Sequence, residues 1–187
     1  MLSTTKELLG HSIHAADGNV GNVDDVLFDD RAWMVRYLVV DTGNWLTSRP
    51  RLVPASALGK IDRTGRKVAV NMTREQVMRC PSLDADMPVW RQMARKYWDF
   101  SAWPVLWFEG FYAPVKTLTR EEPAGDPHLY SVSKVIGHHA RARDGELRHV
   151  VDFVLDDEVG CVRDLVVETG HWHHARKVLI PPTWCKK

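Results

Sequence analysis

Apolar and polar residues alternate in short runs over about the first 70 positions, and a period of two is typical of half-buried β-strands. Val35, Tyr37 and Val39 would share one face of such a strand. The pair Asp17-Gly18 stands between two runs, and it predicts a tight turn because glycine accepts a positive φ at no steric cost. We therefore predict short strands joined by hairpin turns.

The same pattern continues to about residue 71. Arg51–Pro54 is predicted to be a short edge strand that ends at its proline. Gly59–Asn71 is predicted to be a further hairpin that turns at Arg63–Gly65. About six short strands would then close around a small core, which is the size of an SH3-like barrel.

An internal repeat dominates the sequence. Leu9–Pro54 aligns without gaps on Ile136–Pro181, with about twenty identical residues over about 45 positions. The longest match joins Val35–Trp45 to Val162–Trp172. The repeat predicts two modules of one fold.

The motifs V-R-x-L-V-V-(D/E)-T-G-x-W and L-(V/I)-P occur in both copies, and with them the chain resembles the PRC-barrel family. That family includes the cytoplasmic part of the H subunit of photosynthetic reaction centres and the C-terminal domain of a ribosome maturation factor. The resemblance implies a mainly β protein with two small PRC-type (SH3-like) barrels. We place the first barrel at residues 1–72, a partly helical, aromatic-rich connecting segment at 73–130, and the second barrel at 131–187.

The second copy is truncated, because nothing after Pro181 corresponds to Ile61–Asn71. An open sheet edge invites strand pairing. We expect the linker, the first module or a second chain to fill the gap, with Phe111–Leu118 as the candidate within this chain.

The connecting segment predicts two short helices, one capped by Thr73 and ending before Pro81, the other starting at Asp86–Pro88. It carries half of the eight tryptophans. So aromatic a run is either packed between the barrels or exposed as a docking surface. The candidate partner-binding aromatics are Trp98, Trp103, Trp107 and Phe108.

Charge and cysteine content narrow the class of protein. The 25 basic and 24 acidic residues leave no strong footprint for nucleic acid or an anionic membrane. Three cysteines without a CxxC pair favour reduced thiols. Neither a signal-peptide pattern nor an apolar run of about 20 residues occurs, so we expect a soluble cytoplasmic protein without membrane insertion.

Metal-ligand chemistry has one weak candidate. His171, His173 and His174 are close in sequence, and two of them would share a face of an extended chain. The first copy has Asn44–Thr47 at these places, which favours a solvated loop over a metal site.

Other polar positions recur in both copies and favour structural roles. Asp25, Asp152 and the Asp-Asp pairs at 29–30 and 156–157 are interpreted as turn and strand-end residues. His11 and His138 are interpreted as core or turn residues, and Cys161 as a buried strand residue. Arg49 and Arg176, in the loop after Thr-Gly, could meet an acidic protein or phosphate.

No nucleophile elbow, phosphate loop, dinucleotide fingerprint or zinc-protease helix occurs in the chain. We expect a non-enzymatic protein-interaction or assembly module that needs no cofactor and acts as a homodimer. The H-subunit resemblance implies a link to photosynthetic electron-transfer complexes. The alternative, implied by the ribosome maturation relatives, is a ribosome- or RNA-associated adaptor.

Overall fold

A computed structural model describes residues 2–43, 50–83, 128–141, 146–169 and 176–185. The strands in this part of the chain are β1 Leu2–Thr4, β2 Ser12–Ala15, β3 Gly18–Asp29, β4 Val35–Asp41, β5 Arg51–Pro54, β6 Leu58–Asp62, β7 Lys67–Val70, β8 Leu129–Ser131, β9 His139–Arg141, β10 Glu146–Asp156, β11 Cys161–Thr169 and β12 Arg176–Ile180. The helices are α1 Thr5–Leu8, α2 Arg74–Arg79 and α3 Val132–Val135, with single 3-10 turns at Ala55–Ala57 and Pro182–Trp184.

The strands form two sheets, which confirms the mainly β prediction. The first sheet has the order β5-β4-β3-β2-β7-β6, with β8 paired to β3. The second has the order β1-β10-β11-β12, with β9 paired to β10. The described pairings are antiparallel except that of β2 with β7, which is parallel.

The predicted hairpin and the first predicted helix are both present. β6 and β7 pair antiparallel on either side of the expected turn. α2 begins after Thr73, whose side chain accepts a hydrogen bond from the Gln76 backbone in a capping box. The helix ends before Pro81, because proline cannot continue it.

The two sheets exchange their first strands, which the sequence pattern did not predict. β1 precedes the first copy along the chain, yet it pairs with β10 of the second copy, with Thr4 opposite Val154. β8 precedes the second copy and pairs with β3 of the first, with Ser131 opposite Leu27. These two residue pairs occupy the same positions in the alignment of the copies.

One continuous apolar core lies between the sheets. Ile13, Val68 and Phe153 are completely buried in it, and the rings of Phe28 and Phe153 meet across the boundary with their centroids 5.3 Å apart. Each small sheet thereby buries more apolar surface than it could bury alone. The second sheet has no counterpart of the β6–β7 hairpin within the residues that the structure describes, so this part of the chain forms a half-barrel.

Candidate interaction surface

Two buried carboxylates hold the exchanged segments, which are β1 with α1 (residues 2–8) and β8 with α3 (residues 129–135). Asp152 accepts hydrogen bonds from Thr5 Oγ1 at 2.5 Å and from the Lys6 backbone N–H at 3.3 Å. Asp25 accepts the corresponding backbone bond from Ser133 at 3.0 Å, together with the hydroxyl of Ser133 at 2.7 Å.

The predicted turn or strand-end role of Asp25 and Asp152 is wrong. Both residues lie well inside long strands, immediately after a β-bulge. A bulge re-aims the next side chain, and here both carboxylates meet a neighbouring segment.

The adjacent Asp-Asp pairs do form turns, as predicted. Asp29 accepts hydrogen bonds from the backbone N–H groups of Arg31 and Ala32 and pairs with Arg36 at 2.6 Å. Burial alone would raise the pKa of Asp29, but the Arg36 guanidinium and these N–H donors outweigh it, so the pKa lies below its ordinary value. Asp156 makes the equivalent turn contact with the Glu158 N–H at 3.1 Å.

The outer edge of the second half-barrel differs from that of the first barrel. β7 lies parallel to β2, with Val68 opposite Ile13, and the Ser12 N–H donates outward to the Arg66 carbonyl at 2.9 Å. β9 occupies the position of β2 in the second copy. Among the described strands it pairs only with β10.

Two equivalent histidines, His11 and His138, differ in burial between the two copies. His11 is 4% exposed, and its Nδ1 is buried without a hydrogen-bond partner among the described residues. Burial lowers the pKa of His11, and the positive charge of Arg66 on the hairpin lowers it further. His138 is exposed, because no hairpin lies over it in the described chain. Both histidines are interpreted from the sequence as core or turn residues. His11 is a core residue, whereas His138 is an exposed residue next to a turn.

Most of the predicted partner and metal residues fall outside the described residues. Arg176 is described, and it is exposed at the first position of β12. The others are Arg49, Trp98, Trp103, Trp107, Phe108, His171, His173 and His174, and with Phe111–Leu118 they stay predictions. Within the described ranges no group of three His, Cys, Asp or Glu residues is placed to hold a metal ion.

The cysteines and the cleft between the sheets offer little reactive chemistry. Burial raises the pKa of the Cys80 thiol to about 11, which keeps it protonated near neutral pH. Cys161 is only partly buried, at the first position of β11. A cleft of about 210 Å³ between the sheets is lined mainly by apolar residues, among them Leu8, Leu38 and Leu155.

The outer edge of β9 has no strand paired to it among the described residues. An unpaired strand presents backbone N–H and C=O groups in a row, and a further strand can bond to them. Sequence reasoning predicted an open edge but missed the exchanged segments that anchor the half-barrel. The available signal was weak: Leu2 and Leu129 stand at equivalent positions before the two Gly-His pairs.

Comparison with known proteins supports this description of the first barrel. No curated protein shows significant sequence similarity to the chain. No helix in the described ranges is long and apolar enough to cross a membrane. Residues 5–77 match the model of the PRC-barrel domain, and this stretch runs from α1 through β7 into α2. The chain therefore contains a PRC-barrel domain at residues 5–77.

Proposed function

We propose that this chain is a non-enzymatic assembly module that binds protein by strand addition, and that it forms a homodimer in which the second chain covers β9. The observation that carries the proposal is that two equivalent strands, β2 and β9, differ in whether a second strand pairs with them. β2 is covered by a parallel strand, whereas β9 has no second partner among the described strands.

The backbone of β9 is suited to accept a strand. The Ser12 N–H points away from β3 and donates to Arg66. His139 occupies the position of Ser12 in the second copy, so its N–H points to the same outer side. The neighbouring His138 and Arg141 are exposed as well. Each hydrogen bond that an added strand forms with these groups should stabilise the complex by about 1 kcal/mol.

The H subunit of photosynthetic reaction centres, which caps a membrane complex, illustrates one form of this function. The match to the PRC-barrel domain supports that form only at the level of the fold, since barrels of one family carry different functions.

The test is solution mass by light scattering over a hundredfold range of concentration. We expect a dimer for the wild-type protein. His139→Pro removes the outward N–H and should give a monomer. His139→Ser restores the residue of the first copy, keeps the N–H, and should remain dimeric.

Circular dichroism must show that both variants are folded. A wild-type protein that is monomeric at every concentration would contradict the homodimer. An equally dimeric, folded His139→Pro variant would show that the β9 edge is not the interface.

A further inference from the structure

Among the described residues, the opposite edge of the second half-barrel also lacks a cover that its counterpart in the first barrel has. β5 and β12 are equivalent strands, and they pair in the same register, with Leu52 opposite Val39 and Leu179 opposite Val166. The outer edge of β5 is covered by the extended segment Pro81–Leu83. The Leu52 N–H donates to the Pro81 carbonyl at 2.9 Å, and the Leu83 N–H donates to the Pro50 carbonyl at 2.7 Å.

That segment also buries an apolar face. Leu52 is 1% exposed in a cluster with Leu27, Val39 and Leu129, against which Leu83 packs. The equivalent residues of the second sheet are Leu2, Val154, Val166 and Leu179. Leu2 is 49% exposed and Leu179 is 59% exposed. Val154 and Val166 are buried, so the open part of this apolar face in the described chain consists of Leu2 and Leu179.

The charge on β12 indicates which kind of segment fits. Arg176 and Lys177 are exposed, and neither forms an ion pair with the described residues. Glu168, which lies opposite Lys177, accepts from Arg148 at 3.3 Å instead. The position of Lys177 is occupied in the first copy by Pro50, which has no charge.

We propose that β12 and the apolar face of Leu2 and Leu179 bind an extended segment of a partner protein. The segment lies on β12 as Pro81–Leu83 lies on β5. It carries a leucine-sized residue at the place of Leu83, and carboxylates after that residue reach Arg176 and Lys177. This surface is separate from the β9 edge, and the binding mode is edge-strand addition with an apolar anchor.

A peptide with the sequence Pro-Ser-Leu-Asp-Ala-Asp, taken from residues 81–86, is the probe. It is titrated into ¹⁵N-labelled full-length protein, and amide shifts are followed. We expect saturable shifts confined to Arg176–Ile180 and Leu2–Thr4, with half-saturation on the order of 1 mM or tighter. The same peptide N-methylated at its leucine loses the hydrogen bond to the Lys177 carbonyl and should bind about fivefold more weakly.

Leu179→Thr keeps the backbone N–H of residue 179 but removes the apolar side chain against which the leucine of the peptide packs. It should weaken binding about tenfold. Because this side chain is exposed, the variant should fold, and its thermal midpoint provides the check. Unchanged β12 amides, or equal binding of the N-methylated peptide, would overturn the proposal. So would β12 amides that are already protected from hydrogen exchange in a monomer, since the chain would then cover its own edge. Solution mass tests the β9 dimer separately.

Discussion

Met34 forms an antiparallel bridge with Cys161, and each of the two residues occupies the position of the other in the alignment of the copies. The bonds around this bridge come in matched pairs. The Val35 N–H donates to the Gly160 carbonyl at 2.8 Å, and the Val162 N–H donates to the Trp33 carbonyl at 2.7 Å. An approximate two-fold axis therefore passes through the Met34–Cys161 bridge.

The exchanged segments are related by the same symmetry. We therefore predict that a substitution in one copy loosens the segment that precedes the other copy. Asp152→Asn replaces one acceptor oxygen with a donor, so it should destabilise the protein by about 2 kcal/mol. Hydrogen exchange followed by mass spectrometry should show faster exchange at Thr5–Leu8, which Asp152 anchors, and little change at Val132–Val135.

Asp25→Asn is the matched control, because it should produce the opposite pattern along the chain. Faster exchange at both segments in both variants would indicate global unfolding and contradict separate anchoring.

The burial of His11 predicts a pH dependence of stability. Its folded-state pKa lies below the ordinary value, so protonation favours the unfolded chain. The stability that the neutral ring contributes is present above about pH 6.5 and is lost as the pH falls toward the folded-state pKa. Urea unfolding between pH 5 and 7 should show stability that rises with pH, by at most about 1.4 kcal/mol per pH unit for one proton.

His11→Gln should reduce the rise of the unfolding free energy between pH 5 and 7. His138→Gln, at the exposed equivalent position, should leave this rise unchanged. If His11→Gln does not fold, the ring of His11 can be titrated by NMR in the wild-type protein. A midpoint at or above the ordinary histidine value would contradict the prediction.

The turn that precedes β11, next to the Met34–Cys161 bridge, predicts a cost in stability for replacing one glycine. Gly160 has φ 70°, and a Cβ there would meet no atom within 4 Å. Gly160→Ala should therefore destabilise by about 1–2 kcal/mol through backbone strain alone. Gly160→Asn should cost less, since asparagine tolerates this region better. Equal thermal midpoints for the alanine variant and the wild type would refute the argument.

Cysteine labelling tests the burial of α2 against the first sheet. Cys80 is buried, with a thiol pKa of about 11, and Cys185 is exposed. A thiol reagent at pH 8 should modify Cys185 before Cys80, because Cys185 is exposed, whereas Cys80 is both buried and protonated and should react only after unfolding. Cys185→Ser removes the fast phase in the control. Rapid labelling of Cys80 in the folded protein would show that α2 opens readily.

The local structure of this chain follows from its sequence. The predicted shared face of Val35, Tyr37 and Val39 is wrong, because a register shift beside Val35 turns it into the core between the sheets while Tyr37 and Val39 pack on the other side. The strand over Val35–Asp41, the turn at Asp29-Asp30 and the helix start at Thr73 are present as predicted. Each depends on neighbours within a few positions, so a single sequence contains the required information.

Only the tertiary structure decided which strands meet across the chain. A three-residue strand such as β1 or β8 carries too few alternating positions to specify its partner. Asp25 and Asp152 therefore looked like turn residues, although they anchor segments more than 100 positions away. Likewise, Leu52 and Leu179 are the same residue type at equivalent positions. One is buried and the other is exposed, because Pro81–Leu83 packs on only one of them.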